Sequence, residues 1–227
     1  MVAATACIPE DRTARGLDGR PPGRMSRWRY PSLGSARGLH WQPVRESGMT
    51  ADVVQSNFPE GVRLPDCLRA VCDYVDAHGY PLSGCFEICD RGRKDAEGWF
   101  PGDPATRRQV AIFGRGSTGS AYALWLVPNA NPAEAPVVLF GSEGEFMVLA
   151  SNAFEFCRLL GLGYDEIEYD DLAARPAEWN ETAGLRNWLA ERLRIDFPAT
   201  GEEIARTARE RHTGFSGWMR AWQAANL

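Results

Sequence analysis

Lysine is almost missing from this chain. Lys94 stands alone against 24 arginines, a bias that reads as the imprint of a GC-rich genome. Histidine is scarce too, with only His40, His78 and His212. No G-x-S-x-G elbow, no H-E-x-x-H pair and no G-K-[ST] follow-up to a glycine loop occurs, which removes the nucleophile elbow, the zincin helix and the Walker A loop. A Cys–His pair drawn from Cys67 or Cys85 with His78 or His212 is conceivable, but nothing singles one out. Carboxylates are plentiful and unspecific, so they name no acid–base pair. No apolar run reaches the roughly 18 residues that a membrane helix needs. Met1–Pro9 lacks the basic and long apolar regions of a secretory leader. A reduced, cytoplasmic setting is therefore expected, with the cysteines as ordinary buried thiols. Cys67, Cys72, Cys85 and Cys89 have no C-x2-C spacing, and no metal is expected on them. No cofactor is expected either.

What is present divides at Met49. Residues 1–48 carry eight arginines and four acids, and residues 49–227 carry 17 basic and 26 acidic residues. The body is thus net −9, which disfavours nucleic acid, because a phosphate backbone would be repelled. It suits a basic protein partner. Residues 1–48 are rich in Gly, Pro, Ser and Arg with few aliphatics. Such a stretch cannot bury enough surface to offset chain entropy. It is expected to be a disordered extension, or to lie ahead of a true start at Met49. Residues 49–227 form the single folded domain.

Periodicity places the elements. Leu68, Val71, Cys72 and Val75 recur at helical spacing between Pro65 and Gly79. Strands are expected near 85–90, 109–113, 120–127, 137–140 and 146–150. Residues 120–127 are apolar on both alternating faces, the mark of a central strand covered on both sides. Asp90–Asp103 reads as a charged loop around Trp99 and Phe100, an aromatic pair that either lies over the core or anchors a partner. Asn152 and Glu155 form a capping box for a helix ending at Gly161. Leu185, Trp188, Leu189 and Leu193 form an amphipathic stripe. Thr200 and Glu203 suggest a second capping box, and Phe215, Trp218, Met219 and Trp222 a last helix docked on the sheet.

Two strings invite function. Gly114-Arg115-Gly116-Ser117-Thr118-Gly119 matches G-x-G-x-x-G. In a dinucleotide-binding unit a helix follows that motif. Here Ser120–Val127 reads as a strand, so the string is a tight hairpin turn. The second is Asp165–Asp171, with five acids in seven residues: Asp165, Glu166, Glu168, Asp170 and Asp171. It lacks the spacing of a calcium loop. It reads as a solvated acidic face or a partner-binding patch.

Several features together resemble the SMI1/KNR4, or SUKH, superfamily. They are the turn Gly116–Ser120, the strand Tyr122-Ala123-Leu124-Trp125, the run Pro136–Glu145, the short helix Asn152–Leu160, and the spacing Ala208…His212…Phe215…Trp218. The match covers roughly 109–161 and, more loosely, the rest of 49–227. Before the first strand, only Leu64-Pro65 echoes the family pattern. The resemblance implies an α+β fold, a central, largely antiparallel sheet flanked by helices. It also implies a non-catalytic protein-binding domain. Many bacterial members look like immunity proteins that bind and block a toxin, often a nuclease. The expected contact carries the five acids of 165–171, with Trp99 or Phe100 as aromatic anchor and a basic toxin domain as partner. A regulatory module of the same fold, or a divergent small hydrolase or nucleotide-binding enzyme, would be the alternatives.

Overall fold

The computed structural model describes residues 48–127, 131–177 and 179–226. The expectation for residues 1–48 therefore falls outside the described residues, Gly48 excepted. The architecture is α+β, with one antiparallel sheet flanked by helices. Among the described residues, five strands follow one another in a meander: β1 (Glu87–Ile88), β2 (Val110–Arg115), β3 (Ala121–Trp125), β4 (Val137–Phe140) and β5 (Phe146–Ala150). Each pairs antiparallel with its sequence neighbour.

The sheet is sandwiched, as the two apolar faces of β3 demand. Tyr122 and Leu124 join Ala111, Phe113, Leu139 and Leu149 on one face. Ala121, Ala123 and Trp125 join Val110, Ile112, Val138 and Phe140 on the other. The first face is covered by α1 (Met49–Asn57), α2 (Asp66–His78), α5 (Ala153–Leu160) and α6 (Ala183–Leu193). The second is covered by α3 (Gly92–Trp99) and α8 (Gly214–Asn226), through Ala96, Phe215 and Met219. Helix α7 (Glu202–Arg211) sends Ile204 and Ala205 to the first cluster and Ala208 to the second. Each fully buried Leu or Phe here contributes roughly 1.5–3 kcal/mol of transfer free energy, so these two layers dominate stability.

Local capping explains several boundaries. The Asn152 side chain accepts from Glu155 N–H at 2.9 Å and starts α5. Gly161 follows α5 as its C-cap, and only glycine fits there because a methyl group would stand 2.4 Å from the Phe197 ring. Gly144 turns the β4–β5 hairpin at φ +95°.

Three expectations are corrected, and one helix is new. The first strand is two residues, 87–88, rather than 85–90. Tyr80 Oη accepts the Ile88 N–H at 3.1 Å and closes the outer edge of β1. The stretch 90–103 is not a loop but contains α3, and α4 (Pro104–Arg107) begins directly after it. Asp103 caps α4, accepting from Ala105 N–H at 3.1 Å and Thr106 N–H at 3.0 Å, and Pro104 stands at the first helical position. The folded part opens at α1, a helix that the periodicity does not mark. The cap of α1 is distant: Asp76 on α2 accepts from Thr50 Oγ1 at 2.5 Å, Gly48 N–H at 3.2 Å and Thr50 N–H at 3.3 Å. Finally, Thr200 does not cap α7. Gly201 takes that place, and its N–H goes to Tyr164 Oη at 2.8 Å.

Candidate binding surface

The glycine string is the β2–β3 turn. Gly114 and Arg115 still belong to β2, and β3 begins directly after Ser120. Gly116 N–H donates to Ser120 O at 3.0 Å, and Gly119 N–H to Gly116 O at 3.3 Å. Those amides are spent inside the turn. Gly119 has φ +94°, the left-handed backbone that a tight turn needs. Gly114 is required for a different reason: the Phe86 ring lies where a Cβ would be.

The acidic run sits against this turn. It is a loop held at both ends by Tyr164, whose Oη lies 2.9 Å from the carbonyls of both Leu172 and Ala174. Ile167 and Leu172 are buried in the first core cluster. The loop 83–85 clamps it from the side. Cys85 N–H donates to Asp165 O at 2.8 Å. Gly84 comes so close that any Cβ would overlap the Asp165 and Tyr164 carbonyls. Ile167 and Leu172 point inward, Asp165, Tyr169 and Asp171 are exposed, and Glu166 and Glu168 are half-buried against the turn.

Each acid has a local task. Glu166 accepts from Ser117 Oγ, and Glu168 accepts from Thr118 Oγ1 at 3.0 Å. Asp170 accepts Glu166 N–H at 3.2 Å, and Asp171 accepts Ala173 N–H at 3.0 Å. Asp165 accepts from the Cys85 thiol at 3.5 Å. Those bonds order the loop but leave its charge. Among the described residues, no ion pair includes any of the five carboxylates. The effect reaches the neighbours. Burial first, and then the negative charge of Glu168 and Glu166, push the Tyr122 hydroxyl well above its usual range. Burial and the adjacent Asp165 carboxylate raise the Cys85 thiol.

Trp99 and Phe100 are elsewhere. Phe100 is fully buried in the second cluster, with its ring 5.6 Å from Phe140 and 5.0 Å from Trp222. It is therefore corrected from an anchor to a core residue. Trp99 is partly buried beside Phe140, at 5.5 Å, and Phe146, at 6.3 Å. Both pack on the sheet face opposite the one that receives Ile167. The structure brings the five acids together, but not with these aromatics.

A groove beside β1 and the end of β2 escaped the sequence. It has a volume of about 340 Å³ and is lined by Met49, Val53, Tyr80, Ile88, Glu87 and Arg115, among others. Met49, Val53 and Tyr80, which line it, are 64%, 40% and 48% exposed. Arg115 lies in the groove between Asp90, at 3.3 Å, and Glu87, at 3.8 Å. Two residues further along the chain, Ser117 holds Glu166. Arg115 at the end of β2 thus lines the groove, and the turn that follows it holds the acidic loop. No sequence signal marks the groove, because α1, the Tyr80 loop and β1 meet only in the fold.

Among the described residues, no group of three or more His, Cys, Asp or Glu is placed to hold a metal ion, and no helix is long and apolar enough to cross a membrane. No family model, no curated protein and no solved structure matches this chain.

Proposed function

We propose that this chain is a protein-binding domain without a catalytic role, and that the acidic loop 165–171 is its contact with a basic partner. The observation that carries this reading is the loop itself. Five carboxylates are held in fixed positions by the β2–β3 turn, the 83–85 loop and backbone N–H groups, with no cation paired to them among the described residues. Keeping like charges together costs free energy, and a cationic surface would relieve that repulsion. Prearranged charge mainly raises the rate of association and selects the partner. The groove beside β1 adds apolar area at Met49, Val53 and Tyr80, which charge alone does not provide.

The resemblance to SUKH proteins gives this surface a specific role. We read the chain as a bacterial immunity protein, acting in the cytoplasm, that covers a basic toxin domain and so blocks it. The α+β architecture with its antiparallel sheet is compatible with that resemblance. Co-expression tests the role. The product of the gene adjacent to this one should arrest growth alone and should not when the chain is co-expressed. Purified together, the two should run as one complex. A neighbour that is harmless, or a toxin that is neutralised without a complex forming, would overturn the immunity reading.

A further inference from the structure

A separate cleft, of about 340 Å³, opens where the end of α1, α3 and α4 meet the start of β2. Arg93, Arg107 and Arg108 line it, together with Glu60 and Glu97. Bases outnumber acids here, the reverse of residues 49–227 as a whole, which carry 17 basic and 26 acidic side chains. The floor is apolar, because Ala96 and Val110 belong to the second core cluster. Pro59 and Pro104 add rigid apolar walls.

The arginines differ in how far their charge is already met. Arg107 is matched by Glu97 at 3.3 Å, and its Nε donates to the Asp103 carbonyl at 3.3 Å. Arg93 is held by neutral groups instead. Its Nη2 donates to the Ser56 carbonyl at 3.0 Å and lies 3.5 Å from that of Phe58, and its backbone N–H lies 3.4 Å from Asn57 Oδ1. These bonds fix the guanidinium at the end of α1 and leave its charge uncompensated. Arg108 is exposed. Among the described residues, Arg93, Arg108 and Glu60 enter no ion pair. Two open guanidinium groups and one open carboxylate therefore share the cleft.

We propose that this cleft binds a small phosphate monoester, with Arg93 and Arg108 on its phosphate. Near pH 7 such a phosphate carries a charge of about −1.5 to −2, which two guanidinium groups match. Each guanidinium presents a planar fork of N–H donors, and the phosphate offers its terminal oxygens to both forks. A carboxylate has two oxygens and a single charge, so it fills only one. Arg93 is anchored in advance, so little of its side-chain freedom is lost on binding. The apolar floor and the two prolines cover the organic part of the ester, in a cleft within the size range of small-molecule sites. A nucleic acid strand would instead run its phosphates over the acidic surface beyond the cleft and be repelled. A single phosphate senses mainly the charges within a Debye length of about 10 Å. Glu60 is the open charge that opposes it.

Phenyl phosphate is the probe, because its ring suits the apolar floor, and benzoate and inorganic phosphate are the controls. NMR titration of the full, isotope-labelled chain reads both the affinity and the place. Saturable amide shifts are expected in residues 57–60, 93–97 and 104–110, with phenyl phosphate bound roughly ten-fold more tightly than either control. Arg108→Gln and Arg93→Gln should each weaken it by about ten-fold or more, and Glu60→Gln should tighten it several-fold. Should Arg93→Gln loosen the end of α1, the exposed positions 108 and 60 still decide. No saturable shift by about 10 mM phenyl phosphate, shifts that fall elsewhere, equal affinity for a control, or an affinity unchanged in Arg108→Gln would overturn the proposal.

Discussion

Replacing the three glycines of the β2–β3 turn one at a time separates packing from phosphate binding. At Gly114 an added methyl group would stand 2.3 Å from Cε2 and 2.7 Å from Cζ of Phe86. Phe86 is 4% exposed, and the Tyr122 and Phe156 rings lie 5.2 and 5.6 Å from its centre. That ring has no space to rotate away. Overpacking of this kind costs about 1–3 kcal/mol. Against it stands a gain of about 0.4–1 kcal/mol, because alanine restricts the unfolded chain more than glycine does. Gly114→Ala should therefore lose on the order of 1.3 kcal/mol, the difference of the mid-range values of the two effects. At Gly119 nothing lies within 4 Å, but φ is +94°, so alanine should cost about 1 kcal/mol through the backbone alone. At Gly116 the nearest atoms are 3.8 Å away, and alanine should stay within about 0.5 kcal/mol of the parent. Urea unfolding at unchanged slope measures all three. If Gly114→Ala and Gly116→Ala are equally stable, Gly114 is not there for Phe86 and the packing account of the motif is refuted.

Three further outcomes follow from the capping and the clamp. Asp76→Ala removes the cap of α1 and should cost about 1–3 kcal/mol, with hydrogen exchange rising first in residues 49–57; uniform protection there would contradict the cap. The Thr106 hydroxyl and N–H, and then the Trp222 indole N–H, hold the Asp103 carboxyl down at about 2. Because its folded value lies below the unfolded one, its contribution is present above pH ~4 and is lost as pH falls toward ~2. Asp103→Asn should flatten acid unfolding in that window, and an unchanged profile would exclude the contribution. Gly84→Ala should displace the acidic loop, because its Cβ would overlap the Asp165 carbonyl at 2.2 Å. Its amide resonances at 165–171 should shift while those of β4 stay in place, and a shift confined to residue 84 would contradict the clamp.

The sequence made some of this plain because the relevant physics is local. Residues 121–125 alternate between two apolar faces, so a central strand was readable. Asn152 and Glu155 are three apart, so the α5 cap was readable too. Helix α3 was not, because it spans only Gly92–Trp99, carries glycine at both 92 and 98, and buries little beyond Ala96. Helix α1 escaped because its cap is Asp76, 26 residues away. Thr200 and Glu203 have capping-box spacing, yet Tyr164 supplies the partner for Gly201 N–H instead. Phe100 looked available because the rings that cover it, Trp218 and Trp222, come from the far end of the chain. Both strings that invited function were visible, but their meeting was not. Ser117 and Glu166 are 49 residues apart, as far as Thr118 is, within one residue, from Glu168.

The most direct test of the acidic contact is the association rate with the adjacent gene's product, for the parent chain and for the double reversal Asp165→Arg with Asp171→Arg. These two acids are the exposed ones, so reversing them leaves the Glu166 and Glu168 bonds to the turn in place. Stopped-flow mixing at low and at physiological salt separates steering from contact. The double reversal should slow association by roughly ten-fold or more at low salt, with a smaller difference at physiological salt. Equal rates for parent and variant at low salt would contradict the account, and the acidic loop would then not be the surface that meets the partner.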